Sequence, residues 1–105
     1  MKLLTKEIED KLRANHKTQD SKTKPTYVVK LFNPTGRGTW YLSELDDDDI
    51  AFGLCDLGYP ELGYVSLDEL KSLKLPFGLK IERDLHWDGK VPGMRGINSL
   101  LEKRP

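Results

Sequence analysis

The stretch of residues 39–87 constrains the fold most, because it holds most of the aromatic side chains and reads in succession as strands, a Gly/Pro turn and a capped helix. Within it, residues 39–45 and 50–56 have the alternation and composition of strands. Residues 27–32 are rich in β-branched and aromatic side chains and predict a strand before them, and the turn signal at residues 33–38 joins it to the next. We therefore expect three neighbouring antiparallel strands in a meander.

A helix and a linker are predicted before the first strand. Thr5 has the side chain of an N-cap, and apolar residues recur every fourth position around it, which predicts a helix over residues 6–15. Residues 17–26 carry no apolar side chain, so they cannot offset their ordering entropy and are expected to form a mobile linker or loop. Residues 88–105 are expected to be an irregular tail. All of these segments belong to one predicted domain, residues 1–105.

A second helix is predicted after the third strand. Ser66 and Glu69 form a capping-box pattern, which predicts a short helix over residues 67–73. The Gly and Pro residues of the segment 58–63 predict a turn or a broken edge, and alternation resumes over residues 79–87 as a fourth strand. The predicted fold is therefore α+β: an antiparallel meander sheet of about four strands, with an N-terminal helix and a short helix between strands three and four.

Composition limits the kind of partner. Lys plus Arg and Asp plus Glu balance at 17 each, which argues against nucleic acid as a partner. The only cysteine, Cys55, excludes an intramolecular disulfide and a thiolate zinc cluster, and it favours a reducing, cytoplasmic location. No stretch approaches the ~20 apolar residues of a membrane span, so no membrane association is expected. No cofactor motif is present and no cofactor is predicted.

Polar residues of the last predicted strand are the candidates for catalysis. Alternation places Glu82, Asp84 and His86 in a row on one face. Such a row could pair an acid with a base, or it could be the solvated side of a half-buried strand. Asp84 and His86 are the catalytic candidates. No metal site is predicted, because one histidine and two carboxylates on one strand leave a divalent ion mostly to water.

The opposite face of this strand contains a charge among apolar residues. Alternation places Arg83 there together with Trp87. An unpaired guanidinium on an apolar face is costly, so Arg83 is expected either to emerge at a sheet edge or to meet a carboxylate, Asp56 first and Glu61 second. A ligand-binding role for Arg83 is the alternative to such an ion pair.

Aromatic residues near the Pro-Gly turns are candidates for binding. They could form a stacking platform for bases, but a matching stripe of Lys and Arg is missing, and aromatics at strand spacing also suit a core. Exposed aromatics beside such turns are typical anchors of protein interfaces. The predicted binding residues are Trp40, Tyr59, Glu61, Tyr64, Arg83 and Trp87.

Several stretches of the chain also resemble a known family, the bacterial domain of unknown function 2958. The matching stretches are LLTKE at residues 3–7, PTG at 34–36, TWY at 39–41, FGL at 52–54 with Asp56, PELGYVSLDEL at 60–70 and IERDLH at 81–86. Similar domains occur in plasmids, integrative elements and phages. The resemblance therefore implies a mobile-element context, but it implies no activity and no site residues.

These observations lead to two hypotheses of different classes. The first is a non-catalytic protein-interaction module of a plasmid, phage or integrative element, whose partner is a host or element protein and which modulates a host defence or transfer system. The alternative is a small metal-dependent hydrolase or ligand-binding domain. Convergence of its residues in a concave pocket would favour this alternative, and their dispersal would favour the module. Its proposed centre is Asp56, Glu61, Arg83, Asp84 and His86.

Overall fold

The computed structural model describes residues 2–18 and 26–91, and within them the strands form an antiparallel sheet flanked by helices. The strands follow the order β4-β3-β2-β1-β5 across the sheet, so β4 and β5 are its two edges. None of the helices in this part of the chain is long and apolar enough to cross a membrane. The elements are α1 Lys6–Lys17, β1 Val29–Phe32, β2 Thr39–Leu45, β3 Ile50–Asp56, β4 Pro60–Ser66, α2 Leu67–Ser72 and β5 Glu82–Arg83, with a 3₁₀ turn at Pro76–Gly78.

The predicted α+β class and the N-terminal helix are confirmed, but the sheet has five strands rather than four. The turn or broken edge predicted over residues 58–63 is mostly strand, because β4 begins at Pro60. Proline is tolerated as the first residue of an edge strand, where its missing N–H removes no bond that the sheet needs. The short helix therefore follows the fourth strand and precedes the fifth.

The strand predicted over residues 79–87 is wrong in its extent, because only Glu82–Arg83 pair with β1. The chain turns directly afterwards. The Asp84 carboxylate accepts a hydrogen bond of 2.9 Å from the backbone N–H of His86, which is the bonding pattern of an Asx turn. Such local bonding competes with the ladder and ends the strand.

The early end of β5 also changes the face on which Trp87 lies. Arg83 pairs with Leu31, a fully buried residue of the helix-covered core, whereas the ring of Trp87 packs 6.0 Å from that of Tyr41 in a separate cluster. The prediction that Arg83 and Trp87 share a face is therefore wrong, because alternation does not continue through the turn.

Helix α1 begins at its predicted cap and extends two residues beyond its predicted end. The Thr5 hydroxyl accepts a hydrogen bond of 3.1 Å from the N–H of Ile8. Acidic residues lie in the first turn, and His16 and Lys17 in the last, as the helix dipole favours. Leu12 is fully buried against the sheet. Removing such a leucine from water stabilises a fold by about 1.5–3 kcal/mol.

Arg13 joins α1 to the acidic loop between β2 and β3. Its guanidinium donates hydrogen bonds of 2.6 Å to the Asp49 carboxylate and to the backbone carbonyl of Asp46. A third bond of 3.1 Å reaches Glu9, one turn earlier on α1. The hydrogen bond to Asp49 is the main cause of a raised pKa for Arg13. The aspartates at residues 46–49 thus form a structured turn held to the helix.

The core has a larger and a smaller part. The smaller part is Tyr41 and Leu54, against which Tyr27, Leu62, Trp87 and Val91 pack; we call this side of the sheet the second face. The larger part lies between the sheet and the two helices. Its buried residues are Leu4, Leu12, Val29, Leu31, Trp40, Leu42, Leu45, Ala51, Leu67, Leu70 and Ile81.

The centre of the sheet contains a close backbone approach. The register between β2 and β3 shifts near Ser43, whose hydroxyl donates a 3.1 Å hydrogen bond to the Phe52 carbonyl. Beside this irregularity, a Cβ atom on Gly53 would overlap the carbonyl oxygen of Tyr41 and approach the Cα of Leu42 to 2.9 Å. Only glycine fits at this position without moving the neighbouring strand.

Parts of two predictions lie outside the described residues. Of the predicted linker, residues 19–25 are not described, while Lys17 is the last residue of α1. Of the predicted tail, residues 92–105 are not described.

Candidate functional site

The predicted site residues separate into groups instead of forming one site. Trp40 is 7% exposed and belongs to the core, so its role in the structure is packing. Arg83 contacts the N-terminal segment. Asp84, His86 and Trp87 line a concavity on the second face, and Tyr59, Glu61 and Tyr64 lie on or beside β4 at the opposite edge of the sheet.

The concavity on the second face has a volume of about 490 Å³. Lys30 of β1 is one of its lining residues. Its Nζ atom is 3.3 Å from the Asp84 carboxylate and 5.9 Å from the centre of the Tyr41 ring. Trp87 forms another wall, and its indole N–H donates a 2.8 Å hydrogen bond to the Lys90 carbonyl. We call Lys30, Tyr41, Asp84, His86 and Trp87 the second-face cluster.

The surroundings of two residues in this cluster move their pKa values away from neutrality. The pKa of Asp84 is lowered, first by the hydrogen bond from the His86 backbone and then by Lys30. The pKa of Tyr41 is raised, first by burial and then by the charges of Asp56 and Asp84. An effective general acid or base has a pKa near the working pH, so these shifts suit neither group for proton transfer at neutral pH.

The predicted pairing of Arg83 with a carboxylate, Asp56 or Glu61, is wrong, whereas the other predicted placement, at a sheet edge, agrees with its position on the edge strand β5. The Arg83 guanidinium instead donates two hydrogen bonds of 3.1 Å, one to the backbone carbonyl of Lys2 and one to that of Leu3. Asp56 accepts a 3.1 Å bond from the N–H of Gly58 in the β3–β4 turn. Backbone carbonyls accept hydrogen bonds from a guanidinium as a carboxylate does. Alternation in the sequence does not show which of these acceptors the guanidinium meets.

The residues of the hydrolase alternative are dispersed. Glu61 lies on β4 and Asp84 follows β5, so these two carboxylates are at opposite edges of the sheet. The row of Glu82, Asp84 and His86 is broken by the turn after β5. Within residues 2–18 and 26–91, no group of three or more His, Cys, Asp or Glu side chains is placed to hold a metal ion.

The edge formed by β4 exposes two tyrosines. β4 pairs with β3 along its whole length, from Pro60 to Ser66, and no strand in the described part of the chain pairs with its other side. Tyr64 is 62% exposed and its ring packs 5.0 Å from that of Phe52. Tyr59, just before the strand, is 69% exposed. We call β4 together with Tyr59 the β4 edge.

Sequence reasoning missed two residues, Lys30 of the second-face cluster and Phe77 of the 3₁₀ turn at Pro76–Gly78. Lys30 could have been singled out as a charge within a strand-like segment, by the argument applied to Arg83. Phe77 is 95% exposed and has a φ of 63°, which is unusual for a residue other than glycine. The adjoining proline and glycine signal a turn there, but they do not show which way the ring points.

The fold and its surfaces define a small α+β domain built on an antiparallel sheet, with one long exposed edge. A family model described as "Protein of unknown function (DUF2958)" matches residues 3–95. The chain therefore belongs to the DUF2958 family, and the resemblance seen in its sequence is confirmed. No curated protein and no solved structure matches the chain.

Proposed function

We propose that this domain is a non-catalytic protein-interaction module whose β4 edge receives an extended segment of a partner protein. The observation that carries the proposal is the seven-residue edge strand β4, with exposed tyrosines at and near its ends. In strand addition, the backbone groups of the edge provide the hydrogen bonds, and alternate side chains provide the specificity.

The composition of β4 supports this role. Edge strands are usually kept from pairing with other chains by charged residues, prolines, bulges or short length. β4 is long, and it carries a single charged side chain, Glu61, and a proline only at its first position. Its register with β3 runs without a shift from Pro60 to Ser66. The strand thus has the features of an edge that can accept another strand.

The tyrosines supply the anchors that such an interaction needs. Tyrosine is enriched among the residues that dominate binding energy at protein interfaces. Tyr64 is held against Phe52, so little side-chain freedom would be lost on binding. Leu57 is 64% exposed beside Tyr59 and extends the apolar surface.

The proposed setting is a mobile genetic element, and the proposed partner is a protein of the host or of the element that acts in defence or transfer. The resemblance to domains of plasmids, integrative elements and phages supports this setting. The equal numbers of acidic and basic residues favour a protein over a nucleic acid as the partner.

A matched pair of substitutions tests the proposal. A Cβ atom at Gly63, in the middle of β4, would meet no atom within 4 Å, and the same holds for Gly36 in the β1–β2 turn. Gly63→Lys therefore places a charge on the β4 edge without a clash, and Gly36→Lys makes the same change elsewhere. In affinity capture from the native host, the wild type and Gly36→Lys should retain the partner and Gly63→Lys should lose it.

Hydrogen–deuterium exchange then locates the contact. With the purified partner bound, more of the backbone amides of residues 61–66 should exchange slowly, because strand addition forms new backbone hydrogen bonds. Retention of the partner by Gly63→Lys, or protection confined to another element, would contradict strand addition at β4.

Binding of a small ligand by the second-face cluster is the second candidate function. The observation that favours it is the concavity of about 490 Å³, which brings Asp84 and His86 together with Lys30. This volume lies within the usual range of small-molecule pockets, ~300–1,000 Å³. Loss of ligand binding in His86→Ala, with partner capture unchanged, would support this function independently of the β4 edge.

A further inference from the structure

A separate cavity lies between the N-terminal segment, α2 and the residues just before β5. Its volume is about 580 Å³. The apolar part of its lining includes Leu4, Leu70 and Ile81, which are core residues with at most 9% of their surface exposed. The cavity therefore opens directly onto the apolar layer between the helices and the sheet.

The rim of this cavity is cationic. Four exposed lysines line it: Lys2, Lys6, Lys71 and Lys80. Among the described residues that line the cavity, Glu9 alone has a carboxylate, and this carboxylate already accepts a 3.1 Å hydrogen bond from Arg13. Lys6 makes an exposed 3.4 Å contact with Asp10. The other three lysines form no ion pair within the described part of the chain, so the rim has an uncompensated positive charge. We call this cavity the lysine-rimmed pocket.

Arg83 holds one wall of the pocket in place. The wall includes Lys2 and Leu3, whose backbone carbonyls accept the two 3.1 Å hydrogen bonds from the Arg83 guanidinium. Arg83 itself is anchored on β5, paired with Leu31 of β1. The N-terminal segment is thereby fixed to the sheet, and the position of the pocket wall does not depend on α1 alone.

We propose that the lysine-rimmed pocket binds a small amphipathic anion, that is, one anionic group on an apolar chain. The apolar lining would contact the ligand's apolar chain, and Lys2, Lys71 and Lys80 would surround its anionic group. The volume fits a small molecule, since pockets for such ligands enclose ~300–1,000 Å³. This site is separate from the β4 edge, and the proposal stands whether or not a protein binds there.

The two parts of the lining have different tasks. Exposed ion pairs are weak, and each rim lysine is expected to strengthen binding only about two- to fivefold. Each methylene group removed from water strengthens binding by about fourfold. An inorganic anion should therefore bind poorly, while the affinity for alkyl carboxylates should grow with chain length until the apolar part of the pocket is filled.

The test is a calorimetric titration of the domain with hexanoate, octanoate and decanoate, with 1-octanol and inorganic sulfate as probes that carry only one of the two features. We expect one saturable site, affinity that rises by roughly an order of magnitude for two added methylenes, and weak binding of both single-feature probes. Chemical shift changes should centre on Leu4, Leu70 and Ile81. Equal binding of octanoate and 1-octanol, no dependence on chain length, or shift changes on the second face would overturn the proposal.

Paired variants connect the binding to the rim. Lys71→Gln/Lys80→Gln removes two rim charges, and Lys11→Gln/Lys17→Gln removes two exposed charges of α1 that do not line the pocket. The first variant should bind octanoate about four- to 25-fold more weakly than the wild type, and the second should bind it equally well. Equal affinity in the two variants would overturn the role of the rim. So would an acidic peptide that displaces octanoate at lower concentration, since the pocket would then be a protein-docking site.

Discussion

Replacing Gly53 by alanine should destabilise the domain far more than the same replacement at Gly63, the glycine directly opposite it in the β3–β4 pair. Both glycines lie within strands, and neither has a positive φ. Alanine at either position lowers the conformational entropy of the unfolded chain by the same amount. The contrast between the two variants therefore reports only what the new methyl group meets in the folded state.

The magnitude follows from the surroundings of each Cβ position. At Gly53 the methyl would overlap the Tyr41 carbonyl oxygen and lie 2.9 Å from the Leu42 Cα atom. Both are backbone atoms of a central strand and cannot rotate away, so β2 and β3 would have to separate locally. We expect a cost of about 3 kcal/mol or more, at the upper end of overpacking effects. At Gly63 nothing lies within 4 Å, and alanine should be neutral or stabilise by up to about 1 kcal/mol.

Urea denaturation followed by circular dichroism measures the difference between the two variants. Gly63→Ala should keep or raise the midpoint of unfolding, and Gly53→Ala should lower it strongly or prevent folding altogether. For a domain of this size, 3 kcal/mol corresponds to roughly 12–24 °C in melting temperature. If Gly53→Ala unfolded at the same urea concentration as Gly63→Ala, the inferred close approach of β2 and β3 would be refuted.

The remaining predictions concern a cap, an ion pair and metal binding. Ser66→Ala should lower stability by on the order of 1 kcal/mol, since it removes the 3.2 Å hydrogen bond from the Glu69 N–H. It should leave partner capture intact. Loss of capture at unchanged stability would contradict the capping role of Ser66. Asp84→Asn should be less stable than the wild type at neutral pH. Folding lowers the pKa of Asp84, so its carboxylate stabilises the fold above the ordinary pKa of 3.8, and this stabilisation is lost as the pH falls through the pKa of the folded state. The melting temperatures of the two proteins should therefore converge in acid. A constant difference between them would contradict this. Zinc or manganese should raise the melting temperature little, and a stoichiometric micromolar site abolished by His86→Ala would instead favour the hydrolase.

Local features of the fold were predictable because they depend on neighbours in sequence. The caps at Thr5 and Ser66 require only a hydroxyl and a backbone N–H three residues later, and both predicted bonds are present. The strands Thr39–Leu45 and Ile50–Asp56 have the predicted bounds. By contrast, the glycines and proline of residues 58–63 predict a turn, and only the pairing with β3 makes Pro60–Ser66 a strand.

The sequence by itself determined the α+β class, the helix caps and the central strands, since side-chain period and local hydrogen bonds act within a few residues along the chain. Tertiary structure decided which partner satisfies Arg83, because its two acceptors are backbone carbonyls about 80 positions away. It also decided the difference between Gly53 and Gly63, which depends on the approach of a neighbouring strand. The pocket likewise combines lysines from two distant parts of the chain, Lys2 and Lys6 near the beginning and Lys71 and Lys80 about 70 positions later. Residue type and spacing along the chain do not predict these contacts, because the contacts arise from packing between distant segments.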